Sequence, residues 1–288
     1  GSQNALYLLT RLLLSSTTRI GVENPCFREA INTFLLADAE VVPHPVDEEG
    51  IVLNERPCDY YYVTPGHQVP TGVTMSSARR RQLLEHAARH DAVIIEDDYD
   101  SESNFTLNPL PALKASDRSG RVVYVSSLSK ALSPGLRLGF MVADPDLIDE
   151  ARALRRLVYR HPPTNIQYQM AHFLAQGHYE THLRRYHYDS AQRWERLHAA
   201  LQRYLPSCRA LAGSEHANAF WLQTPAQINT QQLTWRAAHA GVLIEPGARH
   251  FLNAAPPDNY FRMGFHAINP DAIAQGVEVL RGQLEQMG

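Results

Sequence analysis

The sequence predicts an α/β protein, with a mostly parallel central sheet sandwiched by helices and a smaller C-terminal α+β domain. Three observations predict it. Short apolar runs alternate with helix-period segments through about residue 143, as in a parallel sheet covered on both faces. Residues 145–205 then read as almost all helix, broken at "HPPTN" (161–165). Beyond residue 210, strand and helix patterns alternate again, more loosely.

Taken in order, residues 3–14 predict a helix entered through "GSQ", and "RIGVE" (19–23) a short buried strand. "FREAINTFLLAD" (27–38) has helical apolar spacing; "AEVVPHPV" is strand-like but interrupted by prolines. "DYYYVTP" (59–65) predicts a strand running into the loop "GHQVPTG". "SSARRRQLLEHAARHD" (76–91) is an amphipathic helix with a serine start signal. "AVIIEDDYD" (92–100) is an apolar strand ending in acids, and "RVVYVSS" and "LRLGFMVA" are two more strands that read as buried. In the last part, "NAFWLQTP" and "YFRMGF" predict strands, "TQQLTWRAAHAG" and "DAIAQGVEVLRGQLEQM" helices. The expected division is a large domain over 1–176, then a long helix and small domain over 177–288.

Composition narrows the function. The 27 Lys and Arg against 30 Asp and Glu, a net charge of −3, argue against this segment binding nucleic acid by itself, which needs clustered excess cation. The run "RRR" (Arg79–Arg81) is expected to decorate a solvated helix face. No apolar run approaches the roughly 20 residues that span a bilayer, and no signal peptide is recognisable. Cys26, Cys58 and Cys208 are too few and scattered for a disulfide framework or zinc site, so a cytoplasmic location is expected. His86 and His90 have a possible metal spacing, but Ala87 stands where a zinc-protease glutamate would be; two ordinary histidines near a helix end are expected and no metal. His182 and His187 read as solvent-facing. The opening helix begins almost at residue 3, which suggests a chain that starts mid-domain.

Ligands of open α/β sheets bind at the carboxyl ends of strands. Four strand ends carry the polar residues: "TPGHQVPTG", "EDDYDSE", "SSLSK" and "FRMGF"; "GSQ" adds a helix N-terminus. With "ENPCF" and "SLSKALSPGLRLG", these motifs resemble, in order and over nearly the whole length, pyridoxal-phosphate enzymes of the aspartate-aminotransferase fold (fold type I). Within that superfamily they are most similar to the aminotransferase-like domain of MocR/GabR-type (GntR-family) transcriptional regulators, the branch that "HQVPTG" and "EDDYDSE" favour.

The resemblance implies pyridoxal 5'-phosphate as cofactor, with Lys130 as the imine lysine. Burial disfavours an ammonium and so activates the amine. It implies Asp97 as the acid facing the ring nitrogen and Tyr99 beside the ring hydroxyl. The phosphate cradle would comprise Ser2 and Gln3 at a helix N-terminus, Ser127 and Ser129, and Arg137. Phe27 would stack on the ring, and Arg262 would grip an effector's α-carboxylate. Asp98 and Asp100 read as capping or solvated acids. Val69 stands where relatives have an asparagine, with His67 or Gln68 as possible substitutes.

The implied function is an effector-sensing, homodimerising domain whose internal aldimine responds to an amino acid, an amine or the cofactor itself. DNA would be bound only through a winged helix-turn-helix domain outside this chain. A free-standing aminotransferase, with Lys130 as proton shuttle and Arg262 orienting an amino acid, is the alternative. A degenerate scaffold without cofactor is a third.

Overall fold

The computed structural model describes residues 1–54, 56–103, 109–211 and 218–287. Helix α1 (Ser2–Leu13) buries Leu6, Leu8 and Leu9 and exposes Arg11. Strand β1 (Arg19–Asn24) follows, then α2 (Arg28–Leu35), β2 (Glu40–Asp47), β3 (Gly50–Ile51) and β4 (Tyr60–Val63). Helix α3 (Ser77–His90) starts where the Ser76 side chain accepts from the Arg79 N–H, a serine cap read correctly from sequence. Next come β5 (Val93–Asp98), the short α4 (Leu113–Ser116), β6 (Val122–Ser127) and β7 (Gly139–Val142).

These strands form one seven-stranded sheet in the order β3-β2-β1-β4-β5-β6-β7. Strands β2, β1, β4, β5 and β6 run parallel, while β3 and β7 are antiparallel edges. The order turns outward in both directions from β1, the switch point at which such sheets open a crevice beyond their carboxyl ends. One face packs on α1 and α2 through Leu9, Ile31, Phe34 and Tyr62. The other packs on α3 through Leu83, Ala87, Tyr61 and Ile94. Tyr61 and Tyr62 of "YYY" point to opposite faces because strand side chains alternate.

Strand β7 departs from its expected burial. Phe140 and Val142 are each 45% exposed, because an antiparallel edge strand has a neighbour on one side only. Its first residue explains the glycine of "LRLG". A Cβ on Gly139 would stand 2.6 Å from the Ser126 carbonyl oxygen and 2.8 Å from the Ser2 nitrogen. Only a bare Cα lets the start of α1 lie against the end of β6.

Helices α5 (Pro145–Val158), α6 (Thr164–Ala175) and α7 (His178–Tyr204) follow. Two breaks separate them where the sequence reading had one. The second is Gly177, at φ 69°, a left-handed position that glycine adopts without steric cost. Strands β8 (Arg209–Ala210), β9 (Ala219–Gln223), β10 (Glu245–Pro246) and β11 (Tyr260–Gly264) form a second, antiparallel sheet in the order β10-β11-β9-β8. Helices α8 (Thr230–His239) and α9 (Ile273–Glu285) complete the chain. Phe220, Phe261, Leu233 and Leu280 make its core, with α7 contributing Leu197 and Leu201. The two-residue strands β3, β8 and β10 are too short to leave a periodic signal.

The run Arg79–Arg81 corrects an expectation. Arg81 alone is exposed. Arg80 is buried, and its guanidinium donates to the carbonyls of Met75 (2.9 Å), Pro65 (2.8 Å) and Pro111 (2.7 Å). Arg79 reaches the carbonyls of Gly50 and Ile51 and pairs with Asp47 at 2.8 Å. Loops that end strands leave carbonyls without ladder partners, and a planar five-donor group satisfies several at once. No helix among the described residues is long and apolar enough to cross a membrane.

Candidate cofactor and effector site

The carboxyl ends of β1, β4, β5 and β6 and the second sheet enclose a cavity of about 590 Å³. All ten residues singled out in the sequence line it. From the large sheet come Phe27, Asp97, Tyr99, Ser127, Ser129 and Lys130; Ser2 and Gln3 come from α1, Arg137 from the turn before β7, and Arg262 from β11. The sequence reading missed Tyr62, Thr64, Glu245 and His250, which also line it.

Asp97 is 3% exposed. Its Oδ2 accepts from the Tyr62 hydroxyl at 2.8 Å, while Oδ1 has no hydrogen-bond partner among the described residues. Burial raises its pKa to about 7, more than the Tyr62 hydrogen bond lowers it. A buried carboxylate oxygen left open in a cavity wall is costly unless a donor or cation meets it. Tyr62 fixes the carboxylate because β4 and β5 are in register, Tyr62 opposite Ile95, two residues before Asp97.

Lys130 lies beyond β6. Its Nζ stands 3.1 Å from Asp100 Oδ1 and 4.3 Å from the centre of the Tyr99 ring. Its side chain is 32% open, yet the amine lies deep among protein atoms. Desolvation is the main influence on its pKa and lowers it; Asp100 opposes that shift and Arg262 adds to it. Asp100 corrects the reading of a solvated acid. It is 4% exposed, accepts from His67 Nδ1 at 3.1 Å and from the Asn218 amide, and so sits in a closed polar cluster. Asp98 is half-buried and takes the Tyr124 hydroxyl at 2.8 Å. The Tyr99 hydroxyl donates to the His67 carbonyl at 3.0 Å and accepts from Asn218 at 3.1 Å.

Arg137, which lines the same cavity, sits at φ 49°, a left-handed backbone conformation that costs a non-glycine residue free energy. Its carbonyl accepts from the Gly1 nitrogen at 2.8 Å, which ties the entry to α1 to the arginine loop. The first N–H groups of a helix lack intrahelical partners and favour anions. Ser127 and Ser129 add hydroxyls; the Ser127 Oγ accepts from the Ser129 N–H at 3.2 Å.

Arg262 stands directly across the second sheet from Glu245. Its NH1 is 3.4 Å from Glu245 Oε2, and its NH2 donates to Asn218 Oδ1 at 3.3 Å. Glu245 also faces His250 Nε2 at 3.3 Å. The close contact with His250, helped by Arg262 and Arg249, outweighs burial and holds Glu245 down at about 2. His67 and Gln68 do not line the cavity. His67 turns to Asp100, and Gln68 donates to Pro25 and Val69 carbonyls at 2.7 Å each. Val69 lines the wall as an apolar residue.

Two histidines on α7 were misread as solvent-facing. They are half-buried: His182 Nε2 meets the Ala131 carbonyl and His187 Nε2 the Glu102 carbonyl, each at 2.7 Å. On α3, His86 Nε2 pairs with the Tyr61 hydroxyl at 2.8 Å, and burial lowers the His86 pKa.

The donor set fits pyridoxal 5'-phosphate. An open buried carboxylate oxygen suits a ring N–H, an arginine with two hydroxyls and a helix start suits a phosphate, and a lysine amine suits an aldehyde. The model of the "Aminotransferase class I and II" family matches residues 1–280. The chain belongs to that family. This aminotransferase-family chain is 37% identical over 281 residues to the HTH-type transcriptional regulator TauR of Rhodobacter capsulatus, covering 96% of this chain and 57% of TauR. It is 34% identical to the probable rhizopine catabolism regulatory protein MocR of Rhizobium meliloti, covering 98% of this chain and 57% of that protein. It therefore spans little more than half of each of these two relatives. Among solved structures it is similar to the multiple substrate aminotransferase of Thermococcus profundus, with TM-score 0.92 and 28% identity over 100% of this chain and 74% of that one. LysN of Thermus thermophilus, an α-aminoadipate aminotransferase complexed with N-(5'-phosphopyridoxyl)-L-leucine, gives TM-score 0.92 and 28% identity over 100% and 76%. The resemblance read from the motifs, to MocR-type regulators on a fold type I scaffold, holds.

Proposed function

We propose that this chain is the pyridoxal-phosphate-binding, effector-sensing and dimerisation domain of a MocR-type transcriptional regulator. The large domain (1–176) would hold the cofactor, and the long helix with the small domain (177–288) would close over it. DNA would be reached through a winged helix-turn-helix segment outside this chain, in the cytoplasm. One observation carries the reading: an orphaned Asp97 oxygen, the Lys130 amine and the Arg137 guanidinium converge on a single cavity.

When bound, the cofactor supplies an aldehyde that condenses with primary amines and a ring that withdraws electrons. The chain's own residues do the rest. Asp97 holds a proton on the ring nitrogen, with Tyr62 keeping its carboxylate aligned. Arg137, Ser127, Ser129 and the entry to α1 at Ser2 and Gln3 hold the phosphate. Phe27 would cover the ring face, Tyr99 would face the ring hydroxyl, and Lys130 would be the covalent anchor. Arg262 orients the carboxylate of an amino-acid effector; an amine or the cofactor's own abundance is the other class of signal. A ligand that binds one domain closure more tightly than the other shifts the population of closures.

A yellow, borohydride-bleached chain that loses its colour in Lys130→Ala supports cofactor anchoring. Effector-dependent DNA affinity of the full-length protein would support the sensor. Sustained keto-acid production from an amino donor would overturn the pure sensor in favour of the second reading, an aminotransferase. That reading is favoured by the joint presence of Lys130, Asp97 and Arg262 around one cavity.

A further inference from the structure

The buried cluster around Asp100 lies outside every role assigned above. Asp100 is the last acid of "EDDYD", 4% exposed, one residue beyond Tyr99. Its Oδ2 and the Asn218 amide contact fix the carboxylate from one side, with His67 Nδ1 at 3.1 Å. Its Oδ1 faces Lys130 Nζ at 3.1 Å, and the Tyr99 ring lies against the same amine at 4.3 Å. An anion on one side and an aromatic face on the other make a cage for an ammonium. Asp100 does not line the cavity, whereas Lys130 does. A lysine that lines the cavity therefore has its amine against a carboxylate that does not.

We propose that Asp100 is the docking counter-ion of Lys130, holding its amine as an ammonium whenever it is not covalently engaged. Asp100 is thus a positioning residue. The inference rests on the reading that an effector's amine takes over the cofactor from Lys130. In that exchange one C=N bond to Lys130 breaks and one to the effector forms. The departing lysine amine takes up the proton that the incoming ammonium gives up. A fixed carboxylate at the lysine's destination lowers the free energy of the released state and so biases the domain toward holding effector. Among the described residues, the other titratable groups facing Lys130 are Asp97 on β5, Arg262 on β11 and, beyond it, His266, whose pKa burial lowers to about 4. Arg262 is cationic and opposes the ammonium, which leaves Asp100 as the group in direct contact that favours it.

The test is competitive labelling of the cofactor-free chain with acetic anhydride across pH, Lys130 being read by peptide mass spectrometry. An opposite charge in contact shifts such a group by about one to three units. Asp100→Asn is expected to lower the Lys130 labelling midpoint by at least about one unit, roughly tenfold more neutral amine at a given pH. Asp100→Glu is expected to recover most of the wild-type midpoint. An Asp100→Asn midpoint equal to or above wild type overturns the proposal. If that variant does not fold, Lys130→Met gives the reciprocal reading. The Asp100 carboxyl carbon shift, followed by NMR, should then titrate at higher pH than in wild type, and an unmoved titration overturns the proposal. Neither measurement uses an effector. A chain that passes both and answers to no amine would sink the sensor reading and leave Asp100 its role.

Discussion

The two walls of the cavity treat charge in opposite ways. On the large-sheet wall, Asp97 keeps a buried oxygen without a partner among the described residues, and its carboxyl is raised to about 7 by burial. On the second-sheet wall, Arg262 and Glu245 face each other, and Glu245 is held down at about 2 by His250 and the arginines. One wall is electrostatically unfinished and the other is already paired. An occupant that brings a cation would complete the unfinished wall and suit a permanent place there. An anion entering at the paired wall would have to compete with a carboxylate already in place, which suits a transient one.

The largest effect that tests this contrast is at Lys130. Lys130→Ala should abolish borohydride-trappable cofactor altogether, read as loss of the reduced adduct by mass. Asp97→Asn comes next. Removing one partner of a buried charge pair costs about 3–5 kcal/mol, so cofactor affinity should fall at least about a hundredfold. The same variant should do the reverse to the cofactor-free chain. A carboxyl raised from about 4 to about 7 stabilises the fold below that window and loses this contribution as pH rises through it. Urea denaturation should therefore find cofactor-free Asp97→Asn more stable than wild type at pH 8, by of the order of a few kcal/mol, with the gap closing toward pH 4. A gap that is equal at both pH values would show that Asp97 is not carrying the unfinished wall.

Smaller effects belong to the paired wall. Arg262→Gln should weaken binding of simple carboxylate probes such as propionate to the cofactor-loaded chain roughly tenfold to a hundredfold. Glu245→Gln should tighten the same probes by about tenfold or less, because the competing carboxylate is gone and the site is partly solvated. Weaker binding in Glu245→Gln would mean that the pair acts as one binding unit, and the contrast between the walls would fail. Both readings come from titrations of cofactor absorbance.

Legibility in the sequence followed the same division. The unfinished wall was readable because its residues end strands. Asp97 closes "AVIIED", Lys130 follows "VSSLS", and apolar strands that stop abruptly in polar residues mark the mouth of a parallel sheet. The sheet itself was readable from alternation of apolar runs with helices. What could not be read were partners that meet across long separations. Asp100 and Asn218 are 118 residues apart, and Arg80 finds Pro111; no local period encodes either meeting. Glu245 carried no signal because β10 is two residues long, and His250 ends the short turn that follows it. Tyr62 had one, in hindsight: it shares a face of β4 with Tyr60 and lies opposite β5 two residues before Asp97.

Helix α7 runs 27 residues without interruption, a rod of about 40 Å at the usual rise. Near its start, His182 grips the carbonyl next to Lys130 and His187 grips the loop after β5. Tyr186 and Ser190 meet His266 beyond β11, and the far half is packed into the second core by Leu197 and Leu201. A beam clamped this way works as a lever. A tilt of roughly three degrees about its start would carry the far end, and the core packed on it, by about 2 Å, an excursion as large as the shifts by which packed helices carry signals between subunits.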